Sequence, residues 1–517
     1  MRICFISREY PPDTGWGGIA TFTKHLCHGL KDLGHEVVVV SLAKDRTGLI
    51  NEDGIPVHRV KPHVIKGDLG AVSMCMPYSR YVFKTTAALW KKFFELHSQN
   101  PFDVVDTPEL LAEGIYPAVS KAVPLVIRLY TPHSKFIAEN IHNVSASFDH
   151  QLVAMMERVA MLGAEVLTSP SDDLADFVAN DLNYPRQKIQ IVRNPIDQTV
   201  FSPEGQRAIE SDKKLVLFVG RLEERKGITY LVEAIPQIMA QYKDVRFVII
   251  GDDTMNSHGE QKSVLTELKQ SLKANGCLDA VQFVPRIPLT ELPNYYRSAD
   301  ICVVPSVYDN SPYTCLEAMS CGRAVIGTAA GGTREYIVNG ESGLIIPPRN
   351  TQAIVESILA LLQNDGERHR LAANARTRVL AKFQRTEIAR QTTELYKQAQ
   401  ELFAAKQNFA GHGLYLKPTS ELLSHAETYL YSYDKMLYDL LYRESFRFRI
   451  RHWWRLGTKR PRLLMAKVFV RFANAFLQLT GRKNSPHPEF IKRLQEEIVN
   501  RQEPLEEESL ETAGARK

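Results

Sequence analysis

The chain has 517 residues, of which 44% are hydrophobic and 24% are charged. This length exceeds what one hydrophobic core supports, so the sequence predicts a globular protein of two or three domains. The net charge of +5 is too small for this size to indicate a class of partner, and we expect no specific nucleic-acid partner.

Cysteine usage and the N-terminus bear on the compartment. Seven cysteines occur without a C-x-x-C pair, and most lie in apolar patterns. They predict buried free thiols in a reducing compartment and argue against a zinc site. The apolar run in MRICFISREYPPD is too short for a signal peptide, and no window reaches the roughly 18 apolar residues of a membrane span. We therefore expect a cytoplasmic protein.

The first elements predict a βαβ unit. Residues 2–7 read as a strand, a helical pattern ends at Gly34, and HEVVVV reads as a strand covered on both faces. Gly17 and Gly18 at the helix start would let a bound phosphate approach the backbone, although a tight turn alone also favours glycine. The absence of G-x-G-x-x-G spacing argues against a dehydrogenase.

The next elements are two further strands, predicted over residues 102–105 and 125–129, and a basic amphipathic helix over 80–94 before them. That helix fits a binding face or a merely solvated one. His133 follows the second strand, at the end where open α/β sheets place ligand residues. A lone loop histidine is also common on a polar surface, so its role stays open at this point. Another strand is predicted over 166–169.

The segment 191–203, IVRNPIDQTVFSP, interrupts the alternation with two prolines and is interpreted as an interdomain linker. A second series of strands and helices follows, over residues 215–220, 228 onward, 245–251, 265–274, 281–284, 343–346, 352–362 and 386–402. Two consecutive series predict an α/β fold of two doubly wound, Rossmann-like domains that face each other across a cleft.

The stretch 301–332 carries the strongest functional signal. A buried strand over 301–305 leads through an acidic-polar loop to a helix that should begin near Tyr313. The first N–H groups of that helix, Tyr313 and Thr314, form a natural seat for phosphate. Asp309 and Glu317 flank this seat. A phosphate site between two carboxylates favours a sugar nucleotide over a bare phosphate.

This stretch resembles the E-x7-E signature of retaining, family-4-type glycosyltransferases of the GT-B fold, with Asp309 replacing the first Glu. The preceding Pro305-Ser306, the following Glu317-Ala318-Met319 and the Gly331-Gly332 pair also match. The N-terminal P-P…GG…L…L…GH-E-V pattern and the G-R…K-G pattern after the strand at 215–220 resemble the same family. The resemblance covers residues 1–405.

The resemblance implies a role for each candidate residue. Arg221 and Lys226 would hold the diphosphate, Asp309 and His133 would lie at the donor sugar, and Glu317 would bind the ribose. Gly17, Gly18 and the amides of Tyr313 and Thr314 would approach the phosphates, and Arg286 would lie near the base. Because Asp is one methylene shorter than Glu, the sugar placement could differ from that of the family.

The activity implied by the resemblance is transfer of a hexosyl-type sugar from a nucleotide-diphosphate sugar, with retention of anomeric configuration. The acceptor would be lipid-linked or a polysaccharide, as in cell-envelope polysaccharide biosynthesis. No metal and no cofactor beyond the nucleotide-sugar co-substrate is expected, and Asp252-Asp253 are interpreted as loop residues. The implied domains are 1–195 on the acceptor side, 196–405 on the nucleotide-sugar side, with a last helix crossing back, and an extension, 406–517.

Two other functions fit parts of this pattern. A sugar-nucleotide epimerase or hydrolase of the same fold would need more acids and histidines around the anomeric carbon, and only His133 is evident. A noncatalytic sugar-nucleotide-binding protein would not need Arg221, Lys226, Asp309 and Glu317 together. The transferase accounts for all four residues.

Residues 406–517 lie outside the resemblance. Between Arg443 and Arg471 there are ten Lys or Arg and one acid. From Arg443 to Arg455 an arginine recurs at every fourth position, and Trp453 and Trp454 lie beside this repeat. Basic amphipathic helices with tryptophan suit anionic membrane surfaces, so segment 440–480 predicts a peripheral contact with the inner face of a membrane. Packing on the enzyme's own acidic surface or nonspecific nucleic-acid binding would also fit. The acidic tail is predicted to be disordered.

Overall fold

The structure is a computed structural model, and it describes residues 1–14, 17–63, 76–138, 147–254 and 263–409. The predictions for the extension beyond residue 409, including segment 440–480, lie outside the described residues. Two sheets organise the described part of the chain, and parallel pairing dominates both. The α/β architecture of two doubly wound domains predicted from the sequence is confirmed.

The first sheet has eight strands in the order β3-β4-β2-β1-β5-β6-β7-β8. They are β1 Arg2–Ile6, β2 Glu36–Leu42, β3 Gly48–Glu52, β4 Ile55–Val60, β5 Val104–Pro108, β6 Leu125–Arg128, β7 Val166–Ser169 and β8 Ile189–Ile191. Among the described strands of this sheet, only the β3–β4 hairpin pairs antiparallel. The VVVV run in β2 is buried throughout, as expected for a strand covered by helices on both faces.

The second sheet has six parallel strands in the order β11-β10-β9-β12-β13-β14. They are β9 Lys214–Val219, β10 Val245–Ile250, β11 Val281–Val284, β12 Ile301–Val304, β13 Ala324–Thr328 and β14 Leu344–Ile346. The chain reverses its direction of winding between β9 and β12. A crevice opens at the carboxyl ends of strands where the order reverses, and this is where such sheets bind ligands.

Helices cover both faces of each sheet. In the first series they are α1 Gly18–Asp32, α2 Pro77–Gln99, α3 Ile115–Ser120, α4 His133–Ala138, α5 Phe148–Gly163 and α6 Asp172–Leu182. In the second they are α7 Ile228–Gln241, α8 Val264–Ala274, α9 Leu292–Ser298, α10 Tyr313–Ser320, α11 Thr333–Tyr336, α12 Thr351–Gln363, α13 Asp365–Lys382 and α14 Arg385–Phe409. Of these helices, none combines the length and apolar character needed to cross a membrane.

The last helix, α14, returns to the first sheet's domain. Its Tyr396 hydroxyl donates to the buried carboxylate of Asp106 at 2.7 Å, and Thr393 contacts His35. Arg385 at its start pairs with Asp32 of α1. These contacts fasten the C-terminal end of the described chain to the N-terminal domain. The six cysteines among the described residues are buried and free.

Candidate active site

A cleft of about 960 Å³ lies between the two domains, at the carboxyl ends of their strands. Nine of the ten residues proposed from the sequence line it, and they are Gly17, Gly18, Arg221, Lys226, Arg286, Asp309, Tyr313, Thr314 and Glu317. The first domain also contributes Arg8, Glu9, Leu110, Tyr130, Thr131 and Phe136. The candidate site is therefore built by both domains.

Arg221 and Lys226 reach the cleft from the turn that follows β9. Arg221 is half exposed, and its guanidinium contacts Glu223 at 3.2 Å. Gly227 ends the turn with φ +70, and a Cβ there would lie 1.8 Å from the carbonyl oxygen of Pro305. Only glycine fits both the backbone conformation and this close approach. The contact seats the turn directly against the end of β12, which brings Lys226 to the Asp309 loop.

Asp309 pairs with the Lys226 ammonium at the floor of the cleft. Burial raises the pKa of this carboxyl, but Lys226 and Arg225 outweigh burial, so the net pKa lies below the ordinary value. Gly331 packs against the Asp309 loop with φ +57, where a Cβ would come within 2.1 Å of the Asp309 carbonyl oxygen. Asp309 is therefore an ionised carboxylate held in place by a glycine turn.

The helix α10 points its amino end into the cleft. Its N-cap residue, Pro312, has no side-chain hydrogen bond to the first turn. The first helical residues, Tyr313 and Thr314, line the cleft. A helix start without a side-chain cap presents N–H groups and the positive end of the helix dipole to a ligand, and an anion is the complement of that end.

Glu317, one turn further along α10, is a buried acid whose environment differs from that of Asp309. The Tyr296 hydroxyl donates to its Oε2 at 2.7 Å. Burial raises the pKa of Glu317 to about 7, and the hydrogen bond from Tyr296 offsets part of this effect. Its other oxygen makes Glu317 a suitable acceptor for a ligand hydroxyl.

Arg286 follows β11 at the rim of the cleft. Its backbone N–H donates to Asp252 Oδ1 at 3.3 Å, and its guanidinium lies 4.0 Å from the same carboxylate. Asp252 also lines the cleft. Across from them, Gly17 is the N-cap of α1 and Gly18 its first residue, so a second helix start meets the cleft from the first domain.

His133 is the one proposed residue that is not among those lining the cleft. It begins α4 and is buried, and its Nε2 lies 2.7 Å from Nδ1 of His150 on α5. Burial, with a further effect from His150, lowers the pKa of His133 to about 4, so the ring is neutral. Its backbone N–H donates to Glu157.

Sequence reasoning missed Arg225 and Asn310, which also line the cleft. Arg225 donates to Glu223 and to the Tyr308 carbonyl, and lies among the cations that lower the pKa of Asp309. Asn310 donates across the cleft to the Tyr130 carbonyl oxygen and to Thr131. Arg225 lies next to Lys226 in the segment LEERKG, and this position was the one sequence feature that could have indicated it. The sequence alone does not distinguish an arginine that faces the cleft from one that faces solvent.

Two Rossmann-like domains around a cleft with cations, acids and an uncapped helix start define the class of GT-B glycosyltransferases. Residues 204–378 match the family Glycosyl transferases group 1, and residues 16–200 match Glycosyltransferase Family 4. The chain belongs to the group 1, family-4-type glycosyltransferases. This confirms the resemblance read from Asp309, Glu317 and the glycine-rich turns.

Relatives share this fold over most of their length. An uncharacterized glycosyltransferase, MJ1607, from Methanocaldococcus jannaschii is 27% identical over 412 residues, covering 78% of this chain and 99% of the relative. The structure of sucrose-phosphate synthase from Thermosynechococcus elongatus aligns with a TM-score of 0.62 at 23% identity, over 78% of this chain and 100% of that one. Anabaena Alr3699/HepE in complex with UDP-glucose aligns with a TM-score of 0.57 at 17% identity, over 77% and 99%.

Proposed function

We propose that the protein transfers a hexosyl-type sugar from a nucleotide-diphosphate sugar to a glycan or glycolipid acceptor, with retention of anomeric configuration. The observation that carries the proposal is the convergence of Arg221, Lys226 and the start of α10 on one cleft that also holds Asp309 and Glu317. The UDP-glucose bound to the related Anabaena fold makes UDP-sugars the first donors to test.

Positive charge beside the diphosphate would drive the reaction. As the bond between the anomeric carbon and the phosphate oxygen breaks, negative charge grows on the leaving diphosphate. Arg221, Lys226 and the N–H groups of α10 would stabilise that charge more in the transition state than in the bound donor. Because these cations already supply the electrostatic role, we propose that no metal ion and no further cofactor is needed.

Retention would follow from attack on the same face. The acceptor hydroxyl oxygen bonds to the anomeric carbon on the side from which the diphosphate departs, and its proton passes to the departing phosphate oxygen. Asp309 would hold the donor-sugar hydroxyls, and Glu317 would accept a hydrogen bond from the ribose. The Lys226–Asp309 pair would rearrange when the diphosphate arrives, since both groups acquire ligand partners.

Nucleotide-sugar binding tests the proposal directly. In a panel of labelled UDP-, GDP- and ADP-sugars, the protein is expected to bind at least one member saturably. Arg221→Ala or Lys226→Ala is expected to weaken that binding at least about tenfold, as for a lost charged contact. Lys397→Ala and Arg390→Ala, which remove exposed cations of α14, serve as matched controls. Equal binding by the cleft variants and the controls would contradict the phosphate site.

Turnover distinguishes transfer from the other functions. The sugar product formed with bacterial glycan or glycolipid extracts is expected to keep the anomeric configuration of the donor by NMR, and EDTA is expected to leave the rate unchanged. An epimerised or hydrolysed donor as the main product with acceptor present, or inversion, would contradict the proposal. A strict dependence on added divalent metal would contradict its metal-independent part.

We further propose that segment 440–480 attaches the enzyme to the cytoplasmic face of an anionic membrane. The support is its composition, with arginines repeating every four residues beside Trp453 and Trp454. Deleting residues 440–517 is expected to reduce cosedimentation with phosphatidylglycerol vesicles while sugar-nucleotide binding stays intact. Unchanged cosedimentation would remove this part of the proposal.

A further inference from the structure

Two segments of the first domain form part of the cleft wall on the side where the acceptor is proposed to bind. The first wall segment, residues 109–112, follows β5 and contributes Leu110 to the lining. The second wall segment, residues 130–136, follows β6 and contributes Tyr130, Thr131 and Phe136. Because both segments line the cleft, their relative position contributes to the shape of this part of it.

The first wall segment has an unusual backbone. Leu111 has φ +55 and Ala112 has φ +51, so two consecutive residues with side chains adopt the left-handed conformation. Residues other than glycine rarely adopt this conformation, and they keep it only where surrounding contacts hold it. Leu111 and Ala112 are both buried, so their backbone N–H groups need hydrogen-bond partners within the protein rather than from bulk water.

Glu157 of α5 connects the two wall segments. Its side chain is buried, Oε1 accepts the N–H of Leu111 at 2.8 Å, and Oε2 accepts the N–H of His133 at 2.6 Å. Each oxygen of one carboxylate therefore holds a different wall segment. A second buried carboxyl group also joins the segments: Glu109 of the first wall segment accepts the N–H of Tyr130 in the second at 2.8 Å. Glu157 differs from it in holding both segments from a helix that lies behind them.

We propose that Glu157 is a positioning residue that fixes the two wall segments relative to each other and thereby sets the shape of the acceptor side of the cleft. The link from wall shape to acceptor binding rests on the proposed function. The inference that the Glu157 side chain holds both wall segments together, which we call the Glu157 clamp, rests only on the two hydrogen bonds and the backbone conformation of Leu111 and Ala112. Glu157 lies behind the wall and acts through these segments.

Two substitutions separate this role from simple packing. Glu157→Gln keeps the side-chain volume, but its amide nitrogen cannot accept a hydrogen bond, so one backbone N–H loses its partner. Glu157→Asp loses a methylene but keeps two accepting oxygens. A positioning role predicts that Gln loosens the wall segments more than Asp does, whereas a role in filling volume predicts the reverse order.

Glu165→Gln is the matched control. Glu165 is also buried in the first domain, and its Oε2 accepts the N–H of Leu125 at 2.9 Å. It lies beside the start of β6, at the opposite end of the strands from the cleft. Its replacement perturbs a comparable hydrogen bond, together with the ion pairs of Glu165 with Lys121 and Lys406, without touching either wall segment.

Hydrogen–deuterium exchange of the full chain tests the clamp without a ligand. In Glu157→Gln, at least one of the two peptides covering 109–113 and 131–136 is expected to exchange about tenfold faster, as for the loss of one buried hydrogen bond. Glu165→Gln is expected to leave both peptides unchanged. Unchanged exchange in Glu157→Gln, or equal acceleration throughout the domain, would overturn the proposal, as would Asp loosening the segments more than Gln.

The wild-type protein gives a second test if the Gln variant does not fold. Both peptides are expected to exchange slowly in the wild type although they border an open cleft, and fast exchange there would overturn the clamp. UDP-glucose affinity is expected to stay within about twofold in Glu157→Asp, because the proposed charged donor contacts, Arg221, Lys226 and Glu317, lie in the second domain. If no sugar nucleotide binds the wild type, the proposed function is wrong. The hydrogen–deuterium exchange result still tests separately whether Glu157 holds the two wall segments.

Discussion

Asp309 and Glu317 show how two carboxylates in one cleft acquire opposite properties. Asp309 pairs with Lys226 and has a lowered pKa, whereas Glu317 accepts a hydrogen bond from the Tyr296 hydroxyl and burial raises its pKa to about 7. The raised pKa of Glu317 contributes stability that is fully present below its unfolded value and is lost as pH rises through about 7. Ligand binding has the opposite dependence, because the ionised form is the better acceptor.

Donor affinity is therefore expected to depend on pH through Glu317. Between pH 8 and pH 6, UDP-glucose binding should weaken by up to about tenfold, since roughly one Glu317 in ten remains ionised at one pH unit below its pKa. Titration calorimetry with UDP-glucose at each pH measures the change in affinity. UDP-glucose is suited to this test because both of its phosphates are esterified, so it has no terminal phosphate that titrates near pH 6. Glu317→Gln should bind more weakly at pH 8 and lose the pH dependence; an unaltered pH profile would contradict the assignment.

Gly227 gives a prediction for the turn that carries Lys226. Gly227→Ala would place a Cβ 1.8 Å from the Pro305 carbonyl oxygen at φ +70, so we expect a loss of at least about 2 kcal/mol in the free energy of unfolding. Gly276→Ala is the control, because Gly276 has φ +67 with nothing within 4 Å. Its expected loss is about 1 kcal/mol. Equal losses in urea unfolding would show that the contact with Pro305 relaxes freely.

At the scale of elements, the sequence predicted most strands and the start of α10, because buried strands and turn residues leave local signals. It missed the β3–β4 hairpin at the sheet edge, where β3 has no buried residue and Leu49 is 64% exposed. It also could not place His133. A strand-end position fixes where a residue leaves the sheet, but it does not reveal that this ring contacts His150 on α5 and is not among the residues that line the cleft.

The helix α14 shows how a contact distant in sequence stabilises the fold. Tyr396 is buried and donates to Asp106, which Arg128 also holds at 2.9 Å. Tyr396→Phe is expected to cost about 1–2 kcal/mol in urea unfolding, because the carboxylate of Asp106 stays buried with one donor fewer. Tyr230→Phe on the half-buried surface of α7 is the control, expected within about 0.5 kcal/mol of wild type. A smaller loss at Tyr396 than at Tyr230 would contradict this role.

At the scale of the molecule, the two domains meet through polar contacts at the cleft. Asn310 donates to the Tyr130 carbonyl oxygen, Tyr308 donates to Asp173 at 2.7 Å, and the Asp172 N–H donates to Glu335 at 3.0 Å. Domain interfaces of this polar kind permit relative motion. Because Asn310, Tyr130 and Tyr308 also line the cleft, contacts that hold the domains together lie at the entrance to the donor site.

Asn310→Ala is therefore expected to shift the domains toward a wider separation. The substitution removes the amide that bridges Asn310 to Tyr130 and Thr131, so the distribution of distances between the domains should broaden to longer values. Spin labels at positions 155 and 273, both exposed and one in each domain, report this distance by pulsed electron paramagnetic resonance. Asn374→Ala, whose amide bonds Glu341 within the second domain, is the control. Saturating donor should narrow the distance distribution again in Asn310→Ala, because contacts of the bound donor with both domains would replace the lost hydrogen bonds of Asn310. Identical distributions in the two variants would show that this bridge does not hold the cleft closed.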